Sequence, residues 1–142
     1  MKKTTTRLII AVAALVVAAG SAYSQPLTAE IPFAFRAGNQ VLAPGTYRID
    51  TVDRTNSPIF RLLNVSAHRA TVLMPQAPVD PKKAWRSSGD PKLAFACGSG
   101  RCALAELWAG PGSYAYTFRH PKLGKDESAA LMEIPMHRDK SE

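Results

Sequence analysis

Cys97 and Cys102 stand on either side of Gly98-Ser99-Gly100-Arg101, and their sulfurs could serve three chemistries. They could form a structural disulfide, a redox couple or half of a zinc site. A redox couple usually has two residues between its cysteines, and this pair has four. Zinc would need two further ligands at suitable spacing, yet His68, His120 and His137 lie in three different segments. In an oxidising compartment an even pair reads first as a disulfide. If residues 97 and 102 face each other across a hairpin, Phe95 opposes Leu104 and Leu93 opposes Glu106. That register collects Leu93, Phe95, Cys97, Cys102 and Leu104 on one face, as a half-buried hairpin requires. A bond closing so short a loop is worth only about 2 kcal/mol, enough to fasten a hairpin but not to hold a fold.

The remaining chemistry-bearing residues form weaker patterns. Ser66 and His68 are two apart and could share a strand face, but no third group orients them and no elbow motif surrounds them. Asp50 and Asp53 are close in sequence, yet their spacing puts them on opposite faces of a strand, and they read better as flanking a turn. The glycines of Cys-Gly-Ser-Gly-Arg are too few and wrongly followed for a phosphate loop. Tyr114, Tyr116 and Phe118 could line a sugar-binding face, although strand aromatics more often pack a core. Lys82-Lys83-Ala84-Trp85-Arg86 is too short to read as a nucleic-acid surface. It could still be a contact loop, with Trp85 as an anchor flanked by the cations Lys82, Lys83 and Arg86. No catalytic constellation, metal site or cofactor site emerges, so a non-enzymatic protein is expected.

The elements that must position such residues begin after the first two dozen. Lys2, Lys3 and Arg7 precede an apolar and small-residue run from Leu8 to Gly20, and Ser21-Ala22-Tyr23-Ser24 offers small residues where signal peptidase reads. The order predicts a cleaved signal peptide over 1–24, which leaves Gln25 as the new N-terminus, with cleavage after Ala22 as the second choice. The apolar run is shorter than the ~20 residues a spanning helix needs, so no transmembrane anchor is expected. The leader carries three of the 18 basic residues and none of the 11 acidic ones, so the mature charge falls from +7 to +4. That modest excess favours an anionic cell-surface component as partner and needs no nucleic acid.

Apolar residues in the rest of the chain, 25–142, recur with period two, the signature of half-buried strands. Ile31, Phe33 and Phe35 share one face of a first run, and Tyr47 and Ile49 one face of a second. Phe60 with Leu62, then Ala70, Val72 and Met74, mark a third and a fourth. Leu93 to Cys97, Cys102 to Leu104, and Tyr114 to Phe118 supply three more, and the segment 130–136 leans towards an edge strand. Turn chemistry separates them: Gly38-Asn39 suits a tight reversal, Ala43-Pro44-Gly45-Thr46 suits a type II turn, and Gly110-Pro111-Gly112 punctuates a later junction. Residues 75–91, with four prolines and three cations, read as a long exposed loop. The pattern predicts an all-β, single small β-sandwich or barrel-like domain of about seven to eight strands.

The stretch Ile31-Pro-Phe-Ala-Phe-Arg-Ala-Gly-Asn-Gln-Val-Leu-Ala-Pro-Gly-Thr-Tyr-Arg-Ile49 resembles the opening of a family of small exported bacterial β-proteins. Those begin with a pattern of the type IPF-x-F-x-x-G-x-x-x-LPAG-x-Y-x-V. A later hairpin of that family is similar to Lys92-Leu-Ala-Phe95 with Glu106-Leu-Trp108 here. This chain has Ala43-Pro44 where the family has Pro-Ala, and it adds a cysteine pair. The family has no assigned activity, so the resemblance implies export and a β fold and lends no catalytic residues. The expectation is a periplasmic or extracellular domain that binds an envelope protein or serves as an envelope component. The rival readings are a small-ligand or carbohydrate binder and a hydrolase with an unrecognised site.

Overall fold

Alternating apolar positions become two antiparallel-dominated sheets in the computed structural model, which describes residues 26–53, 58–120 and 130–138. The leader expected over 1–24 lies outside the described residues. Among the described residues twelve strands fall into the two sheets, and the architecture is a β-sandwich. The first sheet comprises β1 (Leu27–Ile31), β4 (Gly45–Asp53), β5 (Ile59–Asn64), β6 (Arg69–Leu73) and β12 (His137–Arg138), in the order β12-β1-β4-β5-β6. The second contains β7 (Pro78–Val79), β8 (Lys92–Gly98), β9 (Arg101–Trp108), β10 (Ala115–Thr117) and β11 (Ala130–Pro135), in the order β11-β8-β9-β10-β7. Its remaining members are the hairpin of β2 (Phe35–Ala37) and β3 (Gln40–Leu42), which joins through one parallel pairing of Arg36 with Ala103. Expectation fell short of twelve because β2, β3, β7 and β12 are two or three residues long, too short to display a period.

The core lies between the sheets. Leu27, Ala29, Ile31, Tyr47, Ile49, Phe60, Leu62 and Leu73 come from one side, and Phe35, Leu93, Phe95, Leu104, Leu107 and Phe118 from the other. Edge-to-face rings lock the centre, with Phe35 5.2 Å from both Tyr47 and Phe95, and Phe33 5.1 Å from Phe95. Such pairs contribute about 0.5–1.5 kcal/mol each beyond their burial. The run expected as one strand through Ile31, Phe33 and Phe35 breaks at Pro32, and its halves serve different sheets. Both ends still face the shared interior, so the apolar spacing survives the change of sheet.

The expectations for β6 and for the corner before β4 fail. Ala70 and Val72 of β6, and Met74 just beyond it, do not face the core. Leu62 opposes Thr71 and Phe60 opposes Leu73, so those partners turn inward and leave Val72 59% and Met74 71% exposed. The inward Thr71 hydroxyl donates to Gln40 Oε1 at 3.0 Å, which satisfies a polar group within the sandwich. Gly45, at φ +158°, is no type II turn residue but the first residue of β4, facing Ile31. The corner before it is closed instead by the Tyr47 hydroxyl, which donates to the Ala43 carbonyl and accepts from Asn64 Nδ2 at 3.1 Å. A tyrosine tied back to the chain just upstream is a device found at sandwich corners.

The tight turns behave as their residues require. Gly38 (φ +61°) opens the two-residue link between β2 and β3. Ser99 and Gly100 both take positive φ between paired Gly98 and Arg101, the requirement of a type I′ hairpin. Above that turn Cys97 opposes Cys102, and their sulfurs are bonded. Phe95 opposes Leu104 as expected, but Leu93 opposes Leu107 and not Glu106. Ala105 is the extra residue of a β-bulge, which carries Leu107 inward and places Glu106 and Trp108 on the outer face.

Candidate functional site

The segment 75–91 is exposed or half-buried except at Trp85, but it is not all loop. Pro78–Val79 pair with β10, and α1 (Lys83–Ser88) follows, ended by Gly89 in the left-handed conformation with its N–H on the Trp85 carbonyl. Lysine, alanine and arginine favour that turn of helix, and Asp90-Pro91 stops it. Trp85 is 1% exposed and stacks on Trp108, with ring centres 6.3 Å apart and planes 23° apart. Ala94 and Ala115 complete this second cluster on the outer face of the second sheet. The Trp85 indole N–H donates to Glu133 Oε1 of β11 at 2.8 Å, so the helix is tied to a strand 48 residues away. Trp85 therefore anchors α1 to its own sheet.

The cations expected around Trp85 are at the surface in different roles. Lys82 Nζ lies 5.0 Å above the Trp85 ring and 4.0 Å from Glu106 Oε2, a cation–π contact and a loose ion pair. Lys83 and Arg86 are exposed on α1. The Arg86 guanidinium has no hydrogen-bond or ion-pair partner among the described residues, and the same holds for the Asp80 carboxylate.

Asp80 and Arg86 both line an open cleft of about 460 Å³ beside α1, within the size range of small-ligand sites. Its other lining residues are Pro81, Trp108, Pro111, Gly112, Ser113 and Tyr114. One wall is a type II turn: Pro111 and Gly112 (φ +85°) occupy its centre, and the Ser113 N–H returns to the Gly110 carbonyl at 3.2 Å. The Trp108 indole N–H donates to the Ser113 carbonyl at 3.1 Å and pins that turn to the outer cluster. Trp108 is thus a sealed floor with its polar handle spent, whereas Tyr114 stands 58% exposed at the side. Of the expected aromatic stripe, Tyr116 and Phe118 pack on Phe60 at 5.2 and 6.0 Å, and Tyr114 precedes the strand.

No protein-family model, curated protein or solved structure matches the chain.

The chemistry the cleft offers is hydrogen bonding by a guanidinium and a carboxylate, together with the face and hydroxyl of a phenol. Among the described residues its one alcohol, Ser113, has no imidazole in the lining beside it. Ser66 and His68 do not share a strand face; they sit in the turn between β5 and β6, with His68 at φ +54°. Nor do Asp50 and Asp53 flank a turn, since both belong to β4, and Asp50 accepts from the Arg61 guanidinium at 2.8 Å. Groups of three or more His, Cys, Asp or Glu that could hold a metal are absent among the described residues. No helix among those residues is long and apolar enough to cross a membrane.

Sequence reasoning named Arg86 and Tyr114 for other reasons and passed over Asp80. The cleft joins stretches near residues 80 and 110, and their juxtaposition comes from β7 pairing with β10. No spacing along the chain carries that signal.

Proposed function

We propose that this protein is an exported β-sandwich domain that holds a ligand in the cleft beside α1 and acts by binding, without catalysis. The observation that carries this reading is unspent bonding capacity on a fixed frame. Arg86 and Asp80 have no partner among the described residues, and Tyr114 exposes its ring beside them, against a turn held by Trp108. The turn wall is already fixed by the Trp108 bond, so on filling only the exposed side chains lose freedom.

Export is supported by the charged, apolar and small-residue order over residues 1–24 and by the Cys97–Cys102 bond, which suits an oxidising compartment. The mature charge of +4 favours work near anionic envelope surfaces, periplasmic or extracellular. Native mass spectrometry of protein recovered from its host's envelope tests both halves. The expected species begins at Gln25, carries one disulfide and retains a bound mass that Tyr114→Ala releases. A chain that still begins at Met1 with free thiols would end the export reading, and a bound mass indifferent to Tyr114→Ala would end the assignment to this cleft.

A further inference from the structure

Resting on the cleft's being a binding site, we infer that its ligand is a neutral saccharide. Tyr114 is 58% exposed at the side of the cleft, and its ring offers a flat apolar surface with a polar tip. A pyranose offers the complement, a C–H face with hydroxyl groups around its edge. Asp80 and Arg86 supply opposite halves of the hydrogen-bonding code: the carboxylate only accepts and the guanidinium only donates. Neighbouring sugar hydroxyls do both, so a saccharide in the cleft has groups suited to each side chain. Charged ligands fare worse. An anion drawn to Arg86 also meets Asp80, a cation drawn to Asp80 also meets Arg86, and the pair sums to no net charge. An all-apolar ligand would use neither side chain, and one exposed phenol beside an open cleft gives it little apolar area to bury.

The frame suits a rigid, polar ring. Pro81 and Pro111 form walls with little freedom to lose, and a Cβ at Gly112 would meet nothing within 4 Å, so open space lies beside the turn. Trp108 cannot rise to bind the ligand without giving up the Ser113 carbonyl.

The test is an amide-shift titration of the whole mature chain. The probes are neutral trisaccharides of glucose, galactose, mannose and N-acetylglucosamine, with trigalacturonate, decaproline and a fragment library as comparison arms. The expected result is that at least one neutral trisaccharide moves the amides of Arg86, Gly112, Ser113 and Tyr114. Tyr114→Ala should then weaken that binding about tenfold, and Asp80→Asn and Arg86→Gln should each weaken it with amide dispersion unchanged. Neutral trisaccharides that move only amides elsewhere overturn the inference. Cleft shifts from trigalacturonate, decaproline or a fragment, with every neutral sugar silent, overturn the saccharide class and leave the binding site standing. Silence from every probe at the cleft overturns both.

Discussion

Asn64 concentrates more structural duty than its place at the end of an apolar strand suggests. Its Nδ2 donates to the Tyr47 hydroxyl, and its Oδ1 accepts from the backbone N–H of Ser66 and of Ala67, each at 3.1 Å. One buried amide thus joins the corner before β4 to the turn after β5. Asn64→Ala is expected to lower stability by roughly 1–3 kcal/mol, because the tyrosine loses a donor inside the sandwich. Tyr47→Phe should cost about 1 kcal/mol, and the double variant less than the two together, since they share a bond. Urea denaturation reads all three, and a wild-type midpoint for Asn64→Ala would show the network to be idle. Tyr47 was legible as a core residue from its spacing to Ile49. Asn64 was not, because a polar side chain at a strand end looks the same whether it caps a turn or meets solvent.

At the scale of elements, α1 is held by one side chain. Trp85→Ala removes a buried indole and its stacking on Trp108 and should cost about 3–5 kcal/mol in chemical denaturation. Trp85→Phe should recover most of that and lose the bond to Glu133, which is exposed and can turn to water. Equal destabilisation by the two variants would mean that the hydrogen bond, not the packing, seats the helix. The β8–β9 hairpin differs, because its sulfurs cap a ladder seven pairs long. Replacing both cysteines by serine should lower stability by about 2 kcal/mol and leave the cross-strand contacts of Phe95 with Leu104 intact by NMR. Loss of the hairpin on reduction would show that the bond makes the ladder. These elements were unequally readable. The cysteine register came straight from alternation, whereas four prolines and three cations masked a helix whose one large apolar residue faces in.

For the whole molecule, the two sheets have different outsides. The first meets solvent with Arg48, Asp50, Arg61 and Val72, while the second carries α1 and the tryptophan pair on its outer face. A strand covered on both faces needs no alternation, which is why Leu93-Ala94-Phe95-Ala96 is apolar throughout and buried. Val72→Lys should therefore shift stability by no more than about 0.5 kcal/mol, whereas Ala94→Lys should unfold the protein, as near-ultraviolet circular dichroism would report. A severe loss from Val72→Lys would mean that the outer face of the first sheet is covered. Class and layering were legible because β4, β5, β8 and β9 each show an apolar stripe to the interior. The inside of β6 was misjudged for the same physical reason: its more apolar stripe is the outer one, and only the pairing with β5 decides the side.

The bulge at Ala105 bears on how this chain tolerates changes of length. Losing one residue inside a strand ordinarily exchanges inside for outside beyond the cut. Here a deletion of Ala105 exchanges nothing, since Leu104 would still oppose Phe95, Glu106 would still oppose Ala94 and Leu107 would still oppose Leu93. The visible loss is the hydrogen bond from the Phe118 N–H to the Ala105 carbonyl. A chain shortened at this position should keep its hairpin contacts, whereas one shortened at Ala103 should not. Ala105 is thus a spare link, and a natural place for a relative of this protein to be one residue shorter.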